Sequence, residues 1–185
     1  MTPDARAVQP FVIARDEAPK FWLVDSLWSV LATAETTGGE LTVLDQVMPK
    51  RSGPPPHVHD RLHEYFYILD GVIRFQIGTE VKTVSAGSMV SIPRNTIHGF
   101  AVASETARVL NLYTPAGFTE QITFMGTPAT ELRLPRAGEQ APASEDRQKA
   151  YATRSAELNT QRWLTADEAG EAKDLLAAER DAFRP

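Results

Sequence analysis

A mainly β, antiparallel sandwich or barrel with helices at its C-terminal end is the fold the sequence predicts, and three observations carry it. Between Phe11 and Tyr113, short runs of β-branched and aromatic residues recur at even spacing. Turn-forming residues separate the runs, at Thr37-Gly38-Gly39, Gly53 to Pro56, Asp70-Gly71, Gly78, Gly87 and Pro93. After Pro115 the apolar spacing changes from strand-like to helical.

In chain order the strand-like runs are FWLV from Phe21, LWSVLATA from Leu27, ELTVLDQV from Glu40, EYFYIL from Glu64 and VIRFQI from Val72. They continue with EVKTV from Glu80, SMVSI from Ser88, HGFAV from His98 and ARVLNLYT from Ala107. Asp70-Gly71, between two such runs, predicts a two-residue hairpin turn, because both residues tolerate positive φ. Phe118, Ile122 and Met125 recur at helical spacing with Gly126 placed to end the helix. Thr127-Pro128 reads as a new helix start, with proline at the first helical position. Arg136 to Ser144, RAGEQAPAS, reads as a linker. Beyond it, Thr165 and Glu168 form a capping-box pattern that opens a helix through Leu175, Leu176 and Phe183. The expected organisation is one β-domain over residues 1–135 and a linker with a helical tail over 136–185.

Composition narrows the function. A chain of 185 residues holds one domain with a substantial core and is tight for two. Its net charge of -5, without a Lys/Arg cluster interleaved with aromatics, argues against a nucleic-acid partner and fits a small-molecule ligand. The absence of cysteine removes disulfides, thiolate catalysis and sulfur-bound zinc, so any metal must be held by His, Asp and Glu. The start MTPDARAVQPF has neither a basic beginning nor an apolar run, and nowhere do eighteen apolar residues follow one another. A cytoplasmic protein without a membrane partner is the expectation.

The stretch GPPPHVHDRLHEYFYILDG, Gly53 to Gly71, holds three of the four histidines. His57 and His59, two apart, point to one side if the backbone is extended. His63 and Glu64, as neighbours, point to opposite sides, and apolar residues flank both, so alternation alone does not choose between them. Donor chemistry favours Glu64, since imidazoles with one carboxylate suit a divalent transition metal and offset part of its charge. The fourth histidine, His98, opens a later strand and supplies a further candidate ligand. Any one of these histidines alone would read as a surface residue; their clustering reverses that.

From Gly53 to Val102 the chain resembles the two motifs of the cupin superfamily. The first is His57-Val58-His59, four residues, Glu64, six residues, Gly71; the second is Gly87, five residues, Pro93-Arg94-Asn95, two residues, His98. The chain departs from the family pattern in three places. Gly53 lies closer to His57 with three prolines between, Asn95 stands where the pattern has glycine, and Val102 where it has asparagine. From Phe11 to Pro135 it further resembles small single-domain bacterial cupins similar to quercetin 2,3-dioxygenase, on FWLVDSLWSVLA, the histidine stretch and TPAGFTEQITFMGTPA.

The resemblance implies a double-stranded β-helix, or jelly-roll barrel, with one divalent metal (Fe(II), Ni, Mn, Co, Cu or Zn) on His57, His59, Glu64 and His98. It implies a dioxygenase in which a hydroxylated aromatic or enol-type substrate meets O2 at the metal, with Glu64 as the base, and a homodimer joined through edge strands. Pocket walls are expected from Trp22, Trp28, Phe66, Ile68, Phe75, Met89 or Val90, Phe100 and Tyr113, each of which has ordinary barrel packing as its plainer role. Arg94 and Asn95 would orient a polar substrate group or serve only as turn residues. His63 is expected outside the ligand set, and Tyr65 and Tyr67 beneath the C-terminal helices. Two other classes would use the same barrel: an isomerase, epimerase or lyase that consumes no O2, disfavoured by apolar inward positions, and a binding protein without turnover, disfavoured by the complete ligand set.

Overall fold

A computed structural model describes residues 8–139, 145–158 and 160–180. The chain runs through β1 (Lys20–Leu23), β2 (Ser26–Ala32), β3 (Thr42–Pro49), β4 (His57–Val58), β5 (His63–Asp70), β6 (Val72–Ile77), β7 (Glu80–Ser85), β8 (Met89–Ile92), β9 (His98–Val102) and β10 (Thr106–Thr114). It then forms α1 (Phe118–Met125), β11 (Thr127–Pro128), α2 (Glu145–Leu158), β12 (Arg162–Trp163) and α3 (Ala166–Glu171). Among the described residues the strands make two sheets, ordered β11-β1-β2-β3-β10-β5-β8 and β12-β4-β9-β6-β7. Every pairing is antiparallel. The predicted jelly-roll architecture is the one observed. No described helix is long and apolar enough to cross a membrane.

Alternation decides which side chains enter the barrel. On β10, Ala107, Val109, Asn111 and Tyr113 are buried while their neighbours are not. Register carries that face across the sheet, pairing Tyr113 with Glu64 and Asn111 with Phe66 on one side and Asn111 with Leu44 on the other. The interior has two parts. At one end, Phe66, Ile68, Ile73, Phe75, Val90, Ile92 and Phe100 form an apolar core. Phe66, Phe75 and Phe100 meet there with ring centroids 4.9–5.5 Å apart. At the other end, Val30, Leu44, Leu62, Tyr113, Phe118 and Ile122 form a second cluster beneath α1.

Several local expectations are corrected. Asp70-Gly71 is a corner and not a hairpin, because β5 belongs to one sheet and β6 to the other. Gly71 does take positive φ, 86°, but the reason is crowding: a Cβ there would sit 2.4 Å from the Thr106 carbonyl oxygen. Thr127-Pro128 starts no helix; it pairs with Trp22 and Phe21 as strand β11. The capping box of Thr165 and Glu168 is present, yet its helix ends at Glu171. Leu176 is fully buried after that helix while Leu175 is exposed, and Phe183 lies outside the described residues. Tyr67 is not covered by helices: it is 41% exposed, cross-strand from Met89. The helix over Phe118–Met125 forms as expected, but Gly126 ends it with extended backbone, where a Cβ would lie 2.8 Å from that of Phe21.

Gly53 is the glycine on which the entry to the histidine stretch depends. Its φ is 145°, and a Cβ would come within 2.1 Å of the Phe100 carbonyl oxygen. Gly53→Ala is expected to destabilise the protein by about 1–3 kcal/mol, read from the denaturation midpoint, since both strain and backbone contact oppose it. An unchanged midpoint would show that the Pro54–Pro56 run moves without cost.

Candidate metal centre

Four residues from three stretches of the chain converge at the barrel end beneath α1. His57 lies in β4 and His98 opens β9, directly opposite in the ladder. His59 follows β4, and Glu64 is the second residue of β5, whose alternation turns it inward and His63 away. All four are buried, and one ligand atom from each lies within 4.8 Å of the others. Two ligands on opposite sides of a metal at about 2.1 Å would be about 4.2 Å apart, so the set is open by only about 0.6 Å relative to a single coordination shell. Asn95 contributes through its turn: its φ is 64°, in the left-handed region, and its N–H donates to the His59 carbonyl at 2.8 Å. Arg94 is exposed beside it.

The hydrogen bonds orient all three rings alike. His57 Nδ1 donates to the Pro55 carbonyl at 3.0 Å, His98 Nδ1 to that of Thr96 at 2.8 Å, and His59 Nδ1 to that of Thr160. A carbonyl only accepts, so each Nδ1 carries the proton and, in the neutral ring, each Nε2 presents a lone pair. Two of these lone pairs face the same carboxylate oxygen: Nε2 of His98 is 2.8 Å and Nε2 of His59 3.1 Å from Glu64 Oε2. Acceptor facing acceptor in a buried site is repulsive unless a proton or a cation lies between them. Protonating the rings would crowd imidazolium charges together, His57 and His98 having centroids 4.2 Å apart. A single divalent cation satisfies the whole set, and the donor set therefore fits one.

The charges follow from the same crowding. Burial, then His98 and His59, holds His57 well below its usual pKa, so it stays neutral. For Glu64, burial pushes upward, but positive charge and a donor proton on Nε2 of His59 or His98 outweigh it and hold the carboxyl well below its usual range; a cation in the place of those protons acts in the same sense. Its other oxygen, Oε1, accepts from the Tyr113 hydroxyl at 2.7 Å and from Asn111 Nδ2 at 3.0 Å. Glu64 is thus fixed from both ends.

The aromatic residues expected along the pocket fall into three groups. Tyr113 borders the centre, its ring 5.6 Å from that of His59 and stacked on Phe118 at 4.1 Å, and Trp28 lies one ring further out, meeting Phe118 at 6.5 Å. Phe66, Ile68, Phe75, Phe100 and Val90 lie in the apolar core at the other end. Trp22, cross-strand from Leu27 and not from Trp28, is on the opposite sheet face, with its indole donating to the Arg133 carbonyl and the Arg133 guanidinium over its ring. Met89 is exposed.

Sequence reasoning missed three buried amides. Trp28 Nε1, Gln46 Oε1, Asn111 Oδ1 and both polar ends of Gln121 are buried without a hydrogen-bond partner among the described residues. Gln46 lies opposite Trp28, Asn111 beside Glu64, and Gln121 one turn after Phe118. The signal was a polar residue at an inward strand position, Gln46 in ELTVLDQV and Asn111 in ARVLNLYT.

The cupin-domain family model matches residues 43–113. A quercetin 2,3-dioxygenase of Aspergillus japonicus is 28% identical over 132 residues, 67% of this chain and 38% of that protein. One of Bacillus subtilis (strain 168) is 24% identical over 119 residues, 64% of this chain and 35% of that protein. The match thus spans less than two fifths of either relative. Among solved structures, a predicted oxalate decarboxylase of Thermotoga maritima is similar at a TM-score of 0.53 and 17% identity, covering 57% of this chain and 99% of that one. The polyketide cyclase RemF of Streptomyces resistomycificus is similar at 0.50 and 18% identity, covering 76% and 92%. At such identities these structures speak to fold alone. The cupin-domain match over residues 43–113, the two-sheet barrel and the sequence relatives agree: over that stretch the chain is similar to cupin domains, and it resembles quercetin 2,3-dioxygenases.

Proposed function

We propose that this cupin is a metal-dependent dioxygenase that cleaves a hydroxylated aromatic or enol-type small molecule with O2, using His57, His59, Glu64 and His98 as metal ligands. The observation that carries the reading is the inward set of lone pairs, Nε2 of His59 and His98 against Glu64 Oε2, in a buried site beside aromatic walls. A bound divalent ion supplies Lewis-acid activation of a substrate hydroxyl and the redox chemistry with O2. The protein's part is placement. Trp28, Leu44, Phe118 and Ile122 belong to the apolar cluster against which a substrate ring would pack, and Trp28 Nε1, Gln46 Oε1 and Gln121 are the buried polar groups that its peripheral hydroxyls would meet. Glu64 Oε2, the oxygen aimed at the centre, takes the hydroxyl proton, and Tyr113 and Asn111 hold the carboxylate in line through Oε1.

The test is oxygen uptake by the purified protein, loaded in turn with Fe(II), Ni and Mn, when quercetin is added. Metal-dependent uptake with ring-opened product supports the proposal. A second reading, an isomerase or lyase acting on a polyhydroxylated substrate, gains from the buried amides of Gln46, Asn111 and Gln121, which make the interior more polar than the sequence led us to expect. It predicts metal-dependent turnover without oxygen uptake.

Tyr113→Phe separates metal holding from chemistry. It removes only the hydroxyl that donates to Glu64 Oε1, leaving all four ligands. Turnover is expected to fall about 10–100-fold with metal content unchanged, the usual cost of losing a group that orients a ligand. Full activity in the variant would show that Asn111 alone suffices.

A further inference from the structure

We infer that the C-terminal segment from Thr160 to Trp163 is a working part of the metal centre, a strap that fixes the orientation of His59 and walls His57, and so sets the affinity of the site. The inference rests on the reading of His57, His59, Glu64 and His98 as ligands. The orienting carbonyls of His57 and His98 are local, each two residues upstream, at Pro55 and Thr96. That of His59 comes from Thr160, 101 residues downstream and beyond the matched cupin domain. Thr160 is itself buried, its N–H donating to the Ser155 carbonyl at 3.0 Å.

The strap is attached where it acts. Strand β12 pairs with β4, Trp163 opposite His57 and Arg162 opposite Val58, and the Trp163 ring meets that of His57 nearly edge-on at 6.2 Å. Arg162 ties this strand down twice. Its Nε donates to both oxygens of Asp60, next to His59, at 3.0 and 2.9 Å. Its terminal nitrogens hold Glu168 at 2.7 and 2.9 Å, the same carboxylate that closes the capping box of α3. Further along, Gln76 of β6 donates to the Lys173 carbonyl at 2.7 Å and accepts from the Leu175 N–H at 2.9 Å. Arg162, then the Thr165 N–H, holds the Glu168 carboxyl at about 2, down from 4.5. The Glu168 half of the tether is therefore complete above about pH 4.5 and lost only as pH falls toward 2.

Without the strap, His59 Nδ1 loses the acceptor that keeps its proton on the outward side. The ring is then free to turn, or to move the proton to Nε2, where an N–H would point at the centre and block coordination. Linkage makes the effect reciprocal: a strap that raises metal affinity is itself held down, by the same factor, when metal binds.

The experiment uses the full chain at pH 7 with Co(II), whose visible spectrum reports ligand geometry, and with chelator competition for affinity. The Arg162→Ala and Trp163→Ala double variant is expected to bind Co(II) about 10–100-fold more weakly than wild type, with a shifted spectrum. Arg133→Ala, which removes a comparable Arg–Glu tether to Glu139 away from the site, is expected to change neither. A second arm needs no variant: in wild type, Co(II) is expected to slow amide exchange at Arg162 and Trp163 by a comparable factor. Affinity and spectrum unchanged in the double variant, or strap exchange indifferent to Co(II) in a wild type that binds it, overturns the inference. Wild type that binds no Co(II) overturns the ligand reading, and this inference with it.

Discussion

Glu64→Gln is expected to leave a folded protein that no longer holds metal. The carboxylate is the one anionic member of the buried cluster, and its Oε2 faces two imidazole lone pairs. Glutamine keeps the volume and can still accept from Tyr113 and Asn111, but presents an NH2 group to those lone pairs. A repulsive set of acceptors becomes a satisfied donor and acceptor network, which needs no cation. Metal content after reconstitution should fall from about one per chain to under about a tenth, by mass spectrometry of the purified proteins. Stability supplies an independent sign. Chelator should lower the melting temperature of loaded wild type, since metal at about 100 times its Kd stabilises by about 2.7 kcal/mol, and should leave the variant unmoved. The metal-free variant should be at least as stable as metal-free wild type, because it no longer buries an ionised group among unpaired acceptors. A Glu64→Gln protein that keeps its metal would sink the ligand assignment. Wild type that takes up no Fe(II), Ni or Mn would remove the enzyme reading and leave a binding protein.

The strands were legible because most bury one face. EYFYIL and ARVLNLYT alternate cleanly, and their observed register pairs Tyr113 with Glu64, the inward placement that alternation alone could not choose over His63. Alternation failed where both faces are covered. In β2, Leu27 and Ser29 are buried on one face and Val30 on the other, and Asp45 opposite Ser29 is clamped by Arg15 and Arg108. Nothing in such a run tells Trp22 from Trp28, and only the second packs with the cluster around Phe118. Asp70-Gly71 misled for a different reason. Positive φ suits a corner as well as a hairpin, and the choice lies in pairings with β10 and β9, far along the chain. The link from Thr160 to His59 was illegible altogether, since a backbone carbonyl leaves no mark on residue type.

Phe66→Ala is expected to cost about 3–5 kcal/mol of stability while metal content stays at about one per chain. Phe66 stands two residues from Glu64 on the same inward face of β5, so sequence alone made it a candidate for the pocket wall. Its surroundings point elsewhere: it is fully buried and meets Phe75 at 4.9 Å and Phe100 at 5.5 Å, in the apolar core cluster and not in the cluster around Tyr113 and Phe118. Truncation removes edge-to-face contacts with two rings and leaves a cavity that strands held from both sides cannot close. For a chain of this size the loss corresponds to a melting temperature lower by roughly 6–20 °C. A pocket wall would behave in the opposite way, with a raised KM and little change in melting. Coupling between the two ends of β5 should be weak, because Glu64 is fixed by hydrogen bonds to Tyr113 and Asn111 and not by the ring beneath it. Loss of metal in Phe66→Ala at a temperature where the variant is still folded would show instead that the core holds the ligands in place, making scaffold and site one cooperative unit.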